Sequence, residues 1–130
     1  MNAYFIAAAT LAFVVGLVHS VLGETMIFRR MRKPGQVIPT DGGTLLPGSN
    51  VRILWASWHV LTVLGWCMAA ILVWLSRAVS TSVDHAVIGH AIEMSMLTGS
   101  ALVLVATKGR HPGWIGLLGV AVLVWLGRTM

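Results

Sequence analysis

From Ala3 to Gly23 the chain contains no Asp, Glu, Lys or Arg, and about 20 apolar residues in succession suffice for a helix to cross a bilayer. The run stays largely apolar to Phe28 and then meets Arg29-Arg30. Three further apolar runs follow, at about residues 51–75, 83–107 and 112–126, the last being the shortest. Of the 130 residues, 57% are hydrophobic and 10% charged, against about a quarter charged in soluble proteins. A soluble domain of this length keeps much of its surface exposed and cannot hide that much apolar side chain. Lipid is the expected solvent, and residues 1–130 form one transmembrane domain with no soluble domain beside it.

The connections between runs are rich in turn residues. Residues 29–50 carry Pro34-Gly35, Pro39, Asp41-Gly42-Gly43 and Pro47-Gly48, which read as a loop, with Ser49 or Asn50 placed to cap the second helix. Ser80 or Ser82 caps the third, and Pro112 opens the fourth, where its missing N–H is harmless. Short connections imply antiparallel neighbours. The expected fold class is therefore all-α, an integral membrane four-helix up-down-up-down bundle.

Orientation follows from Lys and Arg near the span ends. Arg29, Arg30, Arg32, Lys33, Arg52, Lys108 and Arg110 fall on one side, Arg77 and Arg128 on the other. This balance places loop 29–50 in the cytoplasm and both termini on the non-cytoplasmic side. The formal net charge of +5 then serves orientation and contact with anionic headgroups. No polar face exists on which a nucleic-acid binder would spread its basic residues. The first run lacks a preceding Lys or Arg and exceeds a signal-peptide core, so it reads as a retained span. Cys67, the single cysteine, excludes an intrachain disulfide and a cysteine zinc site and reads as a small core residue.

Ionisable groups at membrane depth are costly and call for partners. In the first run Gly16, His19, Ser20 and Gly23 share one helical face, a small-residue face suited to close packing. In the second, Arg52, Trp55, His59, Thr62 and Trp66 form a matching stripe, and in the third His90, Glu93, Leu97 and Ser100 do so. The fourth carries Gly113, Gly116 and Gly119 and reads as a packing partner. By helical rise His19 lies about 15 Å inside Arg29 and His59 about 10 Å inside Arg52. The two imidazoles can thus meet at one level, with Glu24 nearer to Arg52.

Several chemistries compete for this group. Glu24 paired with Arg52 would hold helix register and nothing more. His19 and His59 are candidate axial haem ligands or ligands of a divalent metal, with Glu24 completing the metal shell or, with Arg52, acting behind the ligands. His19, His59 and Glu93 are candidate steps of a proton relay, with His90 one turn before Glu93 as its partner, and in this reading the chain would transport as an oligomer. An accessory subunit of a larger membrane complex is the further reading, since Gly65 with Ala69 and Ser95 with Gly99 would admit foreign helices. Five of the six Trp lie toward span ends as an interfacial belt; Trp66 is deep enough for interior packing. A nucleophilic enzyme has little support, because Ser20 follows His19 directly and such neighbours do not face one another.

The pairing of His19-Ser20-Val21-Leu22-Gly23-Glu24 with Arg52-x-x-Trp55-x-x-Trp58-His59 resembles a set of small bacterial inner-membrane proteins of four predicted spans and no assigned function. The resemblance covers mainly the first two helices and their loop. It implies a bacterial inner membrane and marks His19, Glu24, Arg52 and His59.

Overall fold

The computed structural model describes residues 1–77 and 83–130. These residues include four α-helices: α1 (Ala3–Leu22), α2 (Gly48–Arg77), α3 (Val83–Ala106) and α4 (Gly113–Thr129). No strand occurs among the described residues, only an isolated bridge between Gly42 and Leu46. Beyond Leu22, α1 widens into a π-helical turn over Gly23–Ile27 and then tightens into a 3₁₀ turn over Phe28–Met31. The helical segments Ala3–Met31, Gly48–Arg77 and Val83–Ala106 are long and apolar enough to cross a membrane. With 17 residues, α4 extends about 25 Å, somewhat less than the roughly 30 Å of a hydrocarbon core.

Helix ends fall close to the expected places, with differences at the caps. Ser80 and Ser82 lie outside the described residues. Neither Ser49 nor Asn50 caps α2: the helix begins at Gly48, and the Pro47 carbonyl accepts from the N–H of Asn50 (2.9 Å) and Val51 (3.2 Å). Proline directs the chain into the helix two residues earlier than a Ser49 cap would. Pro112 caps α4 from just outside, its carbonyl accepting from Ile115 N–H at 3.0 Å.

Asn2 organises the start of α1. Its Oδ1 accepts from the backbone N–H of Tyr4 (3.0 Å) and Phe5 (3.4 Å), while its Nδ2 donates to the Gly127 carbonyl at 2.7 Å. Its backbone N–H donates to the Ser76 carbonyl at 2.8 Å. One side chain thus caps α1 and ties α4. Asn2→Ala should lower stability in detergent micelles by about 1–2 kcal/mol, the sum of a cap and a tertiary hydrogen bond, as read by thermal or denaturant unfolding.

By contacts the chain forms two compact units, one of Met1–Val15 with Gly65–Met130 and one of Gly16–Leu64. The first unit holds an apolar core in which Ala8, Ala9 and Ala12 of α1, Leu72 of α2, Ile92 of α3 and Val120 and Val124 of α4 are buried. Small residues on α1 and α4 let the backbones come near. A Cβ at Gly116 would meet Val15, one at Gly119 would meet Leu11, and one at Gly127 would meet Phe5. Gly99 faces Leu117 of α4 and Ala69 is buried in this core, so both pack within the chain. Cys67 is exposed, not a core residue: on α2 it follows Trp66, and the buried positions are Ala69 and Leu72. Trp66 remains partly exposed, yet its Nε1 donates to the Phe13 carbonyl at 3.2 Å and its ring stacks on Phe13.

In the second unit the loop after Met31 is pinned by its backbone. The Met31 carbonyl accepts from the N–H of both Thr40 (3.0 Å) and Asp41 (2.9 Å). Turns at Gly35 and Gly43 adopt positive φ, which glycine takes without steric cost. Phe28, Pro39 and Val51 are fully buried beneath this loop region.

Candidate functional site

The facing stripes of α1 and α2 in the second unit interlock residue by residue. Thr62 Oγ1 donates to the Gly16 carbonyl at 3.3 Å, and Ser20 Oγ lies 3.0 Å from Thr62 Oγ1. Ser20 Oγ also lies 2.7 Å from His59 Nδ1. The opposite ring nitrogen, Nε2, is 3.7 Å from Glu24 Oε2, an electrostatic contact beyond hydrogen-bond range. Trp55 Nε1 donates to the same carboxylate oxygen at 3.3 Å. Arg32 Nη1 forms an ion pair with Glu24 Oε1. A polar chain therefore runs from the Gly16 carbonyl through Thr62, Ser20, His59 and Glu24 to Arg32.

His19 has a different setting. Its ring stacks on Trp58, with centroids 4.3 Å apart and planes within 6°. Trp58 Nε1 donates to the His19 carbonyl at 3.0 Å. Phe28 meets the same indole edge-on at 5.8 Å, and Gly23 leaves the space the indole fills. His19 thus lies against one face of the Trp58 indole, while His59 has polar partners at its ring nitrogens and the rings of Trp55 and Phe28 beside it.

The expected partner of Glu24 is corrected. Arg52 is exposed and, among the described residues, its side chain makes no hydrogen bond or ion pair; Arg32 takes its place. The π-helical turn carrying Glu24 and the 3₁₀ turn after it change the direction of the chain. Arg32 then stands in extended backbone (φ −109°, ψ 128°), which returns its side chain to Glu24. Single-turn π insertions often mark functional sites, and this one sets the carboxylate where Arg32, Trp55 and His59 converge.

The donor set does not make a metal cage. Among the described residues, no group of three or more His, Cys, Asp or Glu side chains comes together in a way that could hold a metal ion. The trio His19, His59 and Glu24 is divided, since His19 lies on Trp58 while both His59 nitrogens face Ser20 and Glu24. Ser20, unlike the expectation from its own helix, does meet an imidazole, contributed by α2. That contact suits proton transfer better than acyl transfer. Ser20 sits inside a continuous α-helix, whose backbone N–H groups are occupied in the helical ladder and offer no oxyanion donors.

A second polar cluster belongs to the first unit. Glu93, 9% exposed, forms an ion pair with Arg128 through Nη1 and Oε2. The same Nη1 lies 3.1 Å from His90 Nδ1, and His90 Nδ1 lies 3.8 Å from Glu93 Oε2. Beside His90 from its own helix, Glu93 thus receives an arginine from the last turn of α4. That pairing weakens the relay reading, as a carboxylate held by a guanidinium is a poor proton carrier. His85 packs against Trp74 (centroids 4.9 Å) and His111 Nδ1 accepts from Gly113 N–H at 3.0 Å.

Sequence reasoning missed three participants: Arg32 and Arg128, read only as orientation charges, and Ser20 as a partner of His59. Ser20 was legible as the polar residue of the α1 stripe whose level matches His59 on the facing stripe. Comparison with protein-family models, with curated proteins and with solved structures finds no match to this chain.

Proposed function

We propose that the chain is a multi-pass protein of a bacterial inner membrane that serves as a non-catalytic helical subunit, its polar residues fixing helix register. In this reading all four helices span, up-down-up-down, with both termini on the non-cytoplasmic side. Contact pairs within each unit support that topology: Asn2 with Ser76 and Phe13 with Trp66 in the first, and Gly16 with Thr62 and Glu24 with Trp55 in the second. Gly89 with Arg128 and Ser100 with Trp114 between α3 and α4 run likewise. The seven-to-two distribution of Lys and Arg given above supports the orientation, which reporter fusions at each loop and terminus would test.

The observation that carries the register role is the mutual satisfaction of the α1–α2 network. Glu24 is answered by Arg32, Trp55 and His59, and His59 by Ser20 and Glu24. Such groups lock one alignment of two helices, because a slip by one turn leaves His59 without Ser20 and Glu24 without Trp55. The outward faces are apolar, with Val14, Leu17 and Val21 of α1 and Val60, Val63 and Leu64 of α2 exposed, fitting lipid and neighbouring helices. The protein purified in mild detergent should be colourless, contain no stoichiometric metal by elemental analysis, and migrate with other subunits on native gels. A Soret band, or stoichiometric metal lost in His19→Ala or His59→Ala, would replace this reading with a cofactor site.

One observation favours a second reading, proton exchange at His59. A hydroxyl on one ring nitrogen and a carboxylate near the other are the surroundings in which an imidazole passes a proton across itself. Reconstituted liposomes whose proton flux falls about tenfold or more on His59→Gln, but not on His19→Gln, would establish it. Equal flux in all three proteins would leave the register role.

A further inference from the structure

The cluster at the end of α4 has a feature that a plain buried ion pair lacks. A single guanidinium nitrogen, Arg128 Nη1, is shared between the Glu93 carboxylate and His90 Nδ1. The second of these contacts exists only while Nδ1 keeps its lone pair, because arginine has no acceptor. An imidazole with its hydrogen on Nε2 satisfies this contact. The His90 side chain is 59% exposed, against 11% for that of Glu93, so the imidazole lies open on the surface of the helix pair while the carboxylate is enclosed.

We propose that His90, Glu93 and Arg128 form a proton-sensing site whose protonation loosens the last turn of α4. Binding of a proton at Nδ1 turns the acceptor of Arg128 into an N–H donor facing a cation. The new imidazolium also stands 3.8 Å from Glu93 Oε2, the oxygen that Arg128 uses. Two cations then compete for one carboxylate oxygen, and Arg128 loses one of its two acceptors. Gly89 bears on the outcome, since its missing side chain makes the slot in which the Arg128 methylenes lie; an added Cβ would come within 2.8 Å of Arg128 Cδ. The slot holds Arg128 by packing alone, so its hold depends on the polar contacts at the tip.

No other charged or titratable side chain contacts His90 among the described residues. From its own helix it faces Glu93, and from α4 it faces Arg128. Neither α1 nor α2 contributes one; His85, five residues earlier on α3, lies against Trp74 of α2. Loosening would spread along the last turn of α4, where the Gly127 carbonyl is joined to Asn2 and Leu126 holds the N–H of Met130. On the topology proposed above, the proton comes from the non-cytoplasmic side; that clause alone rests on the proposed reading, and reporter fusions test it separately.

Hydrogen exchange of the full chain in detergent micelles tests the site without reference to topology. After correction for intrinsic rates, protection of the amides of residues 124–128 should fall about tenfold between pH 7.5 and pH 5.5, the effect of one charge-assisted hydrogen bond. In His90→Gln the protection should not change with pH, and in Glu93→Gln it should be low at both values. Unchanged protection in the wild type, or an undiminished response in His90→Gln, would overturn the proposal. So would ring-nitrogen shifts showing His90 of the wild type titrating while the α4 amides stay as they were, a measurement that needs no variant to fold.

Discussion

Arg128→Leu should be among the most damaging single substitutions in this protein, lowering stability by about 3–5 kcal/mol. The reason lies in what it leaves behind. Glu93 is a buried carboxylate, 9% exposed, in a helix whose neighbouring residues are mostly apolar. Arg128 is its ion-pair partner, and His90 stands farther away, at 3.8 Å. Removing one member of a buried pair strands the other charge, which costs far more than the pair itself contributes. The double substitution Glu93→Leu with Arg128→Leu should therefore recover most of the loss, because two apolar side chains replace two charges. Denaturant unfolding in micelles of the two singles and the double gives the coupling directly. A single Arg128→Leu within about 0.5 kcal/mol of wild type would mean that Glu93 is hydrated and the pair has no structural weight.

Arg128 also illustrates what the sequence could and could not disclose. The helices were legible because an apolar run of span length has few alternatives in a chain so poor in charge. The facing stripes were legible in part: 3.6-residue periodicity places Gly16, His19, Ser20 and Gly23 on one side of the first run and Arg52, Trp55, His59, Thr62 and Trp66 on one side of the second. Of these, Ser20, His59 and Thr62 join, while His19 turns to Trp58 and Arg52 stays outside. What periodicity could not give was any position that depends on leaving the ideal helix. On a straight α-helix Glu24 and Arg32 would lie about 12 Å apart, too far to pair, and Arg52 becomes the natural choice. The π-helical and 3₁₀ turns between Gly23 and Met31 alter both rise and phase, and the pairing changes with them. Arg128 was hidden differently. Counting it as an orientation charge overlooks that a long flexible side chain at a helix end can reach back over a glycine, and Gly89 supplies that opening. Spacing within α3 alone could reveal His90 beside Glu93, never the third member contributed by another helix.

Gly23→Val should lower stability by about 2–4 kcal/mol, combining overpacking with lost aromatic contact. Gly23 is buried, and a Cβ built there would fall inside van der Waals contact with Nε1, Cε2 and Cδ1 of Trp58. The indole has little freedom to retreat. It donates to the His19 carbonyl at 3.0 Å, stacks on the His19 ring at 4.3 Å and meets the edge of Phe28 at 5.8 Å. Any shift that clears the added side chain breaks at least one of these three contacts, and with them the alignment that sets His59 against Ser20 and Glu24. Gly23→Ala is the sharper test, because helix propensity alone favours alanine over glycine by about 1 kcal/mol. The steric conflict should reverse that sign, giving a less stable protein. In a Trp58→Leu background the conflict is gone, and the same Gly23→Ala change should turn neutral or stabilising. If Gly23→Ala raised stability with Trp58 present, the indole would not rest on this glycine. The α1–α2 lock would then lose the contact that holds its polar residues in line.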